Sequence, residues 1–387
     1  MKIALIVRHF HKRGGVARWC VEIAQNLIKM GEELHIFTYT SDVELKQAKF
    51  HKIFYLPFLK YIKNDKLKNL IEVPIFMIIN SLMVYLQRKN FDIIFHNGES
   101  LIQDIYVAQS CYKSWLKLKW RNKDRKWIFY PLSWFLLLCE RWNYSLKHTK
   151  RFIAISSVVK RDMMECYNIP DKAIEVIHSG VNLKEFDIQK KNFYKNKIRK
   201  KYKIKDNEVI LLFVGYEYKR KGLDKVLNAM KLTNLGNIKL LVVGEDTSNI
   251  YKYKKWVNED EYLKHRVIFA GTTSMVYEYF LGSDVFVFPT SMDAFGLVIL
   301  EAMASGMCVI TSSEAGASDL IENGKNGFIL KDYNNIKEIS NLILMLTKSK
   351  QKIKNIRKNA RKTVINYSWE NVSKRIYRVF KEIKELK

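Results

Sequence analysis

From one end of the chain to the other, short apolar runs of strand length alternate with amphipathic stretches of helix length. That alternation restricts the chain to very few folds. In the first half, positions 2–7, 34–38, 52–56, 91–95, 151–155 and 175–177 read as strands; in the second, 209–214, 239–243, 267–270, 285–288 and 308–311 do. These runs show little polar alternation, as parallel strands covered by helices on both faces require. A strand–helix order repeated throughout is the mark of doubly wound α/β domains. At 387 residues, typical domain sizes suggest roughly two of them.

A composition shift marks where the two meet. Between positions 190 and 205 lie nine Lys or Arg and no acid, interleaved with Phe193, Tyr194 and Tyr202. This stretch reads as a linker or as a surface helix opening the second domain. The expected division is an N-terminal Rossmann-like domain over 1–185, a C-terminal Rossmann-like domain over 186–368 and a final helix over 369–387. Sequence alone fits that helix to either domain; packing back on the first is the working expectation.

Composition excludes several other classes. An apolar content of 48% rules out a mainly disordered chain, and 16 Gly with 5 Pro are too few for a collagen-like or linker-rich one. The five cysteines are odd in number and form no CxxC pair, which favours reduced thiols in a cytosolic compartment over a disulfide framework or a zinc site. The first residues pass quickly from an apolar run into Arg8, His9, His11, Lys12 and Arg13, so no secretory leader is expected. A membrane-crossing helix needs ~18–20 unbroken apolar residues. The best candidates, 73–86 and 127–139, are interrupted by Asn80 and Ser81 and by Pro131 and Ser133.

Three segments carry candidate chemistry. After the first strand, Gly14 and Gly15 precede a helical pattern; paired glycines there let the backbone approach a ligand, and the helix start favours an anion. A structural turn without a ligand fits the same residues. No GxGxxG follows that strand, and no Walker A sequence occurs. In the second half, Gly215 is followed by Lys219, Arg220 and Lys221 and then Gly222, at the end of a strand where α/β domains bind ligands. Two cations beside a diphosphate would neutralise its charge with charge-assisted hydrogen bonds. As long cations at a loop end, they are expected to bury little. The third segment runs Asp293-Ala294-Phe295-Gly296-Leu297-Val298-Ile299-Leu300-Glu301, with two acids bracketing a glycine at a loop-to-helix boundary. Backbone N–H groups near Phe295, Gly296 and Leu297 could hold a phosphate while the acids accept hydrogen bonds from sugar hydroxyls.

These motifs, together with Ala302-Met303-Ala304-Ser305-Gly306 and His178-Ser179-Gly180-Val181-Asn182, resemble the retaining GT-B glycosyltransferases of family 4 over nearly the whole chain. Within that family, the Arg220-Lys221-Gly222 segment is most like the lipopolysaccharide core glucosyltransferases. The resemblance implies a GT-B architecture of two Rossmann-like domains. It further implies transfer of a hexose, glucose first, from a nucleoside diphosphate sugar such as UDP-glucose to a lipid-linked glycan, such as a lipopolysaccharide core; the alternatives are a transferase with a soluble acceptor and a non-catalytic basic protein that binds anionic lipid or nucleic acid. Arg220 and Lys221 would bind the diphosphate, Asp293 the transferred hexose and Glu301 the ribose hydroxyls. The Phe295–Gly296–Leu297 backbone and Gly215 would hold sugar and phosphates, with Gly14 and Gly15 closing over them from the first domain. The catalytic set is thus Arg220, Lys221 and Asp293. Asp stands at 293 where the family usually has Glu. Positions 108–112 lack the Asp or His that relatives often direct at the acceptor, so no base is assigned. No metal and no other cofactor is expected, because the two cations and a helix start already serve the leaving diphosphate.

A net charge of +28 remains to be placed. From 111 to 151 there are eleven Lys or Arg against two acids, with five of the eight tryptophans. Cations among Trp and Tyr beside an apolar stretch fit an interfacial membrane surface. Lys113, Trp115, Lys117, Lys119, Trp120 and Arg121 are the expected contacts with an anionic leaflet, which would place the protein in the cytoplasm, peripheral on the inner face of the cell membrane. Nucleic acid is not an expected partner: there is no RNP sequence, zinc-finger spacing or helix-turn-helix pattern.

Overall fold

The structure, a computed structural model, describes every residue except Arg13, Tyr55, Lys63 and Asn122. The chain divides into two compact units, Met1–Ser179 together with Trp369–Lys387, and Gly180–Ser368. The division falls ahead of the expected 185/186 boundary. Past Gly180 the chain already belongs to the second unit: Val181 bridges to Ser368, and Phe186 is fully buried against the Phe280 ring.

In the first unit seven strands form one parallel sheet: β1 Lys2–Ile6, β2 Glu33–Thr38, β3 Ala48–Lys52, β4 Ile93–His96, β5 Ile105–Ala108, β6 Arg151–Ala154 and β7 Ile174–Val176. Their order is β3-β2-β1-β4-β5-β6-β7. Its helices are α1 Gly15–Lys29, α2 Asp65–Leu86, α3 Tyr112–Arg121, α4 Pro131–Asn143 and α5 Ser157–Tyr167. Helix α1 turns Cys20, Ile23, Ala24 and Leu27 inward at helical spacing. The C-terminal helix, Trp369–Glu385, packs beside α1 and sets Phe380 against Phe95 at 4.9 Å. Phe37, Phe76, Phe91 and Ile94 join one buried cluster under β1 and β2. Each such side chain contributes roughly 1.5–3 kcal/mol on burial.

One expectation needs correction here. The strand expected at 52–56 is instead Ala48–Lys52, paired with Leu34–Thr38. It is an edge strand whose Lys and His alternate with Ala and Phe, so its apolar signal is weak, while the more apolar residues after it turn away into the 3₁₀ segment Pro57–Tyr61. The region 73–86 is part of the 22-residue helix α2, which passes for a membrane-crossing helix by length and composition alone, an 18-residue window of it having a mean hydropathy of 1.7. Pro74 sits inside it without ending it, and Asn64 caps its start by accepting from Lys66 N and Leu67 N.

The second unit repeats the plan with β8 Val209–Val214, β9 Ile238–Val243, β10 Val267–Gly271, β11 Val285–Phe288, β12 Cys308–Ser312 and β13 Phe328–Leu330, all parallel, in the order β10-β9-β8-β11-β12-β13. Its helices are α6 Lys191–Tyr202, α7 Tyr218–Lys221, α8 Leu223–Thr233, α9 Ile250–Glu259, α10 Val276–Gly282, α11 Leu297–Ala304, α12 Ile336–Lys348 and α13 Lys350–Val364. The basic stretch near 190–205 is therefore the helix α6. Strand order reverses between β8 and β11. In such sheets a ligand crevice opens beyond the carboxyl ends at that point.

Candidate active site

The two strands flanking the reversal in the second unit deliver the candidate residues. After β8 the chain passes Gly215, turns at Glu217 with φ 53°, and forms the single turn α7 that carries Arg220 and Lys221. Gly222 ends that turn at φ 85°, where a Cβ would lie 2.2 Å from the Pro289 carbonyl oxygen. Only glycine fits so close an approach. After β11 the chain crosses back over the turn: Ser291 N donates to Arg220 O at 2.9 Å, and Arg220 Nη1 donates to Met292 O at 2.6 Å.

This crossing joins Lys221 to Asp293. The ammonium and the carboxylate form a direct ion pair, with each side chain 14% exposed and Lys221 Nζ 4.9 Å from the centre of the Phe288 ring. The expectation that both cations bury little therefore holds for neither equally. Lys221 is enclosed, whereas Arg220 is half-buried, held by Met292 O on one side and paired with the exposed Glu217 at 2.5 Å on the other. Burial opposes ionisation of Asp293, but Lys221 and then Arg220 outweigh it and hold the carboxyl below the usual carboxylate range.

Asp293 is fixed from its backbone as well. Its N–H donates to Glu314 O and its carbonyl accepts from Gly316 N, both at 2.9 Å, while Ala317 N donates to Phe295 O at 2.7 Å. Gly296, at φ 86°, precedes α11, which begins at Leu297 with no side-chain cap among the described residues and no acid in its first turn. The helix start thus presents backbone donors and positive dipole. Glu301, one turn in, is buried at 5% exposure.

A cleft adjoins this turn, lined by Tyr216, Glu217, Glu245, Asp246, Thr247, Ser248 and Thr272, with a volume of about 420 Å³. Of these, Asp246 is the organiser. Its carboxylate accepts from Tyr218 N at 2.9 Å and from Ser248 N and Asn249 N at 3.2 Å, so one side chain ties the loop after β9 to the loop after β8. Sequence reasoning passed over these residues. The available signal was Gly244-Glu245-Asp246 at the end of an apolar strand. Among the described residues no three His, Cys, Asp or Glu side chains gather as a metal site.

In the first unit Gly14, at φ 76°, stands before α1 and Gly15 begins the helix; Arg13, from the same motif, lies outside the described residues. The six expected membrane contacts on α3 do not share one outward face. Lys113 Nζ donates to Cys166 O at 2.8 Å and lies over the Tyr167 ring, so it leans onto α5, whereas Lys117 is exposed. Trp115 stacks on Tyr112 and is covered by Lys119; Trp120 and Arg121 are exposed. The start of α3 is held by Glu140 of α4, which accepts from Tyr112 N at 2.5 Å and Lys113 N at 2.9 Å.

The same corner contains an uneven pair of thiols. The neighbouring Cys111 and then Lys117 favour the Cys166 thiolate and hold that thiol below its ordinary range, while Cys111 itself is pushed up by the same neighbour and by burial. Burial raises Cys139 to about 11 and Cys308 to about 12, and pushes up Cys20 too. Thiolate is the reactive form. All five cysteines are buried, so the lowered thiol decides between them: Cys166 is expected to be the first cysteine alkylated by iodoacetamide, faster as pH rises. Peptide mass spectra over time test this; earlier labelling of Cys139 would contradict it.

Paired doubly wound sheets, each with its carboxyl edge opened at a strand-order reversal, define a GT-B architecture. The structure superposes on WaaG, a glycosyltransferase involved in lipopolysaccharide biosynthesis, with a TM-score of 0.77, 17% identity and coverage of 98% of this chain and 99% of that one. Residues 13–185 match the family described as Glycosyltransferase Family 4, and residues 194–363 match Glycosyl transferases group 1. Each half of the chain is thus similar to a glycosyltransferase domain, and the fold of the whole is that of the GT-B glycosyltransferases. It is 30% identical over 240 residues to an uncharacterized glycosyltransferase of Methanocaldococcus jannaschii, covering 60% of each chain. It is also 30% identical over 226 residues to the capsular polysaccharide biosynthesis glycosyltransferase CapM of Staphylococcus aureus, covering 55% of this chain and 56% of that one. The similarity thus spans less than two thirds of either relative's length.

Proposed function

We propose that the protein transfers a hexose, glucose first, from a nucleoside diphosphate sugar to a lipid-linked glycan of the cell envelope, with retention at the anomeric carbon. The observation that carries this reading is the meeting of Arg220, the buried Lys221–Asp293 pair and the uncapped start of α11 at one strand-order reversal. On this reading the diphosphate lies between the two cations and the α11 backbone donors, and its arrival draws Lys221 partly from Asp293. Asp293 then faces the hexose hydroxyls. Glu301 accepts from the ribose, and the cleft at Glu245, Asp246 and Thr272 takes the nucleoside end. As the glycosidic bond breaks, negative charge grows on the leaving diphosphate, and fixed cations stabilise it without reorganisation. In a retaining transfer that same diphosphate takes the acceptor proton on the face of attack, so the reading assigns no separate base and asks for no metal ion. The relatives that name a pathway, in lipopolysaccharide and capsular polysaccharide biosynthesis, support an envelope glycan as acceptor. The excess of cations on the first unit supports work at the cytoplasmic face of an anionic membrane.

Calorimetric titration with several UDP-, GDP- and ADP-sugars tests the donor half of this reading. Micromolar binding of one of them is expected, UDP-glucose first; heat from none of them would leave the chain without a donor. Glu301→Gln should weaken nucleotide affinity about tenfold, since an amide offers one acceptor and a misplaced donor where the carboxylate offers two acceptors. An unchanged dissociation constant would assign Glu301 to the core alone.

A further inference from the structure

Helix α2 is long and apolar enough to cross a membrane, yet only a third of its most apolar window is buried. Its inner face is committed to the first unit. Phe76, Met77 and Val84 are in the core, Asn80 Nδ2 donates to Glu99 O at 2.8 Å, and Leu101 N donates to Ser81 Oγ at 2.9 Å. Glu72 is buried on the same helix and paired with His9 at 2.7 Å. Crossing a bilayer would break all of these. The helix must therefore stay against its sheet, which leaves Ile78, Leu82, Tyr85 and Leu86 as an outward stripe at helical spacing.

Helix α4 lies alongside and runs the same way. The Tyr130 hydroxyl, just before α4, donates to Lys66 O at the start of α2, and Trp142 Nε1, near the end of α4, donates to Leu101 O at 3.0 Å, beside Ser81. Its own outward stripe is Trp134, Leu138 and Trp142. The seven side chains of the two stripes are between 44% and 74% exposed. Trp134 Nε1 donates to Ile128 O at 2.8 Å, so both indole N–H groups are satisfied inward. Exposed Lys66, Lys89, Lys126, Arg141 and Lys147 border the stripes; of the acids on these helices, Glu72 and Glu140 are buried and hydrogen-bonded, and Asp65 alone is exposed, so the border is cationic in balance. An apolar strip of this extent is more than scattered surface residues account for. A cationic border selects an anionic surface.

We propose that α2 and α4 together lie in the plane of an anionic bilayer, with Ile78, Leu82, Leu86, Trp134, Leu138 and Trp142 inserted at the headgroup–acyl boundary. This rests on the reading that the protein works at a membrane, and it moves the inserted surface from the outer residues of α3 to this pair of helices. The lysines and arginines of α3 and of the border supply a salt-sensitive attraction. The paired stripes supply the part that salt does not remove.

The test is sedimentation with vesicles of phosphatidylcholine and phosphatidylglycerol at low and high salt, using wild type, Leu82→Gln/Leu138→Gln, and Lys117→Ser/Arg121→Ser. Melting temperature and nucleotide-sugar affinity serve as controls. The wild type is expected to keep a salt-resistant bound fraction. The leucine variant should lose that fraction about tenfold or more at unchanged donor affinity, since two inserted aliphatic side chains are removed; the cationic variant should lose mainly the low-salt binding. Equal high-salt binding by wild type and the leucine variant overturns the proposal. So does a wild type that ignores vesicles but forms a dimer which the leucine variant dissociates, because a second copy then covers the strip. Vesicle binding of the expected kind without binding of any nucleotide sugar would sustain the surface while removing the transferase reading. Donor binding without salt-resistant vesicle binding would do the reverse.

Discussion

Alanine at position 221 is expected to lower turnover about 10²-fold or more at saturating donor, because the charge growing on the leaving diphosphate loses its enclosed cation. Arg220→Ala should lower turnover to a similar extent, but the two variants should part in stability. Arg220 gives up its pair with the exposed Glu217, worth at most about 1 kcal/mol, and one hydrogen bond to Met292 O, worth roughly 1.5–3 kcal/mol with a charged donor, but leaves no buried charge unpaired. Lys221→Ala strands the buried Asp293 carboxylate, and breaking a buried pair from one side costs about 3–5 kcal/mol. The pH dependence supplies a sign. In the wild type Asp293 is held below the ordinary carboxylate value of 3.8, so the pair stabilises fully above that pH and loses its contribution as acid protonates Asp293. Without Lys221, burial dominates and raises the same carboxyl, so mild acid should relieve the cost and stabilise the variant. Urea denaturation of both proteins across the acid range checks this. Parallel stability curves would mean that the pair contributes little, and near wild-type turnover in both alanine variants would remove the diphosphate assignment.

The second large effect concerns backbone alone. Gly222→Ala should destabilise the second unit by roughly 2–5 kcal/mol, adding left-handed strain to an overlap with the Pro289 carbonyl that no rotamer can relieve. Gly324 is the control. It has a similar positive φ of 78°, but open space around its missing Cβ, so Gly324→Ala should show the strain of about 1–2 kcal/mol without the overlap. Equal shifts in the denaturation midpoint for the two variants would contradict the packing argument. A larger shift at 222 would tie the order of the Arg220–Lys221 turn to the passage of the chain beside Pro289.

What could be read in advance follows from how each element is stabilised. The strands of the second unit are continuous apolar runs such as Val209–Val214 and Ile238–Val243, because helices cover both faces of their sheet, and they stood out. Ile105–Ala108 and Phe328–Leu330 are short, and Ala48–Lys52 is a polar edge; each derives its strand identity from a neighbour rather than from its own composition. Asp293 and Glu301 were legible because they bracket a glycine at a helix start. The burial of Lys221 was not. Three successive cations read as a solvated turn, and the carboxylate that encloses one of them lies 72 residues further on. The cleft at Glu245, Asp246 and Thr272 was hidden for the same reason, since sheet order alone gathers the ends of β8, β9 and β10. Asn80 and Ser81 looked like breaks in an apolar run, but on α2 they are the inward polar contacts that hold the helix against its unit.

The return of the C-terminal helix to the first unit has a consequence for synthesis. A ribosome releases residues 180–368 as an uninterrupted stretch that can fold as soon as it emerges, although it begins after most of the first unit has been made. The earlier segment meanwhile has its sheet but lacks the helix that lies beside α1 and seats Phe380 on Phe95. The first unit to begin is therefore the last to finish. Throughout the translation of its successor it holds an open apolar flank, in addition to the strip on α2 and α4, and both are surfaces on which a nascent chain would engage a chaperone or a nearby bilayer.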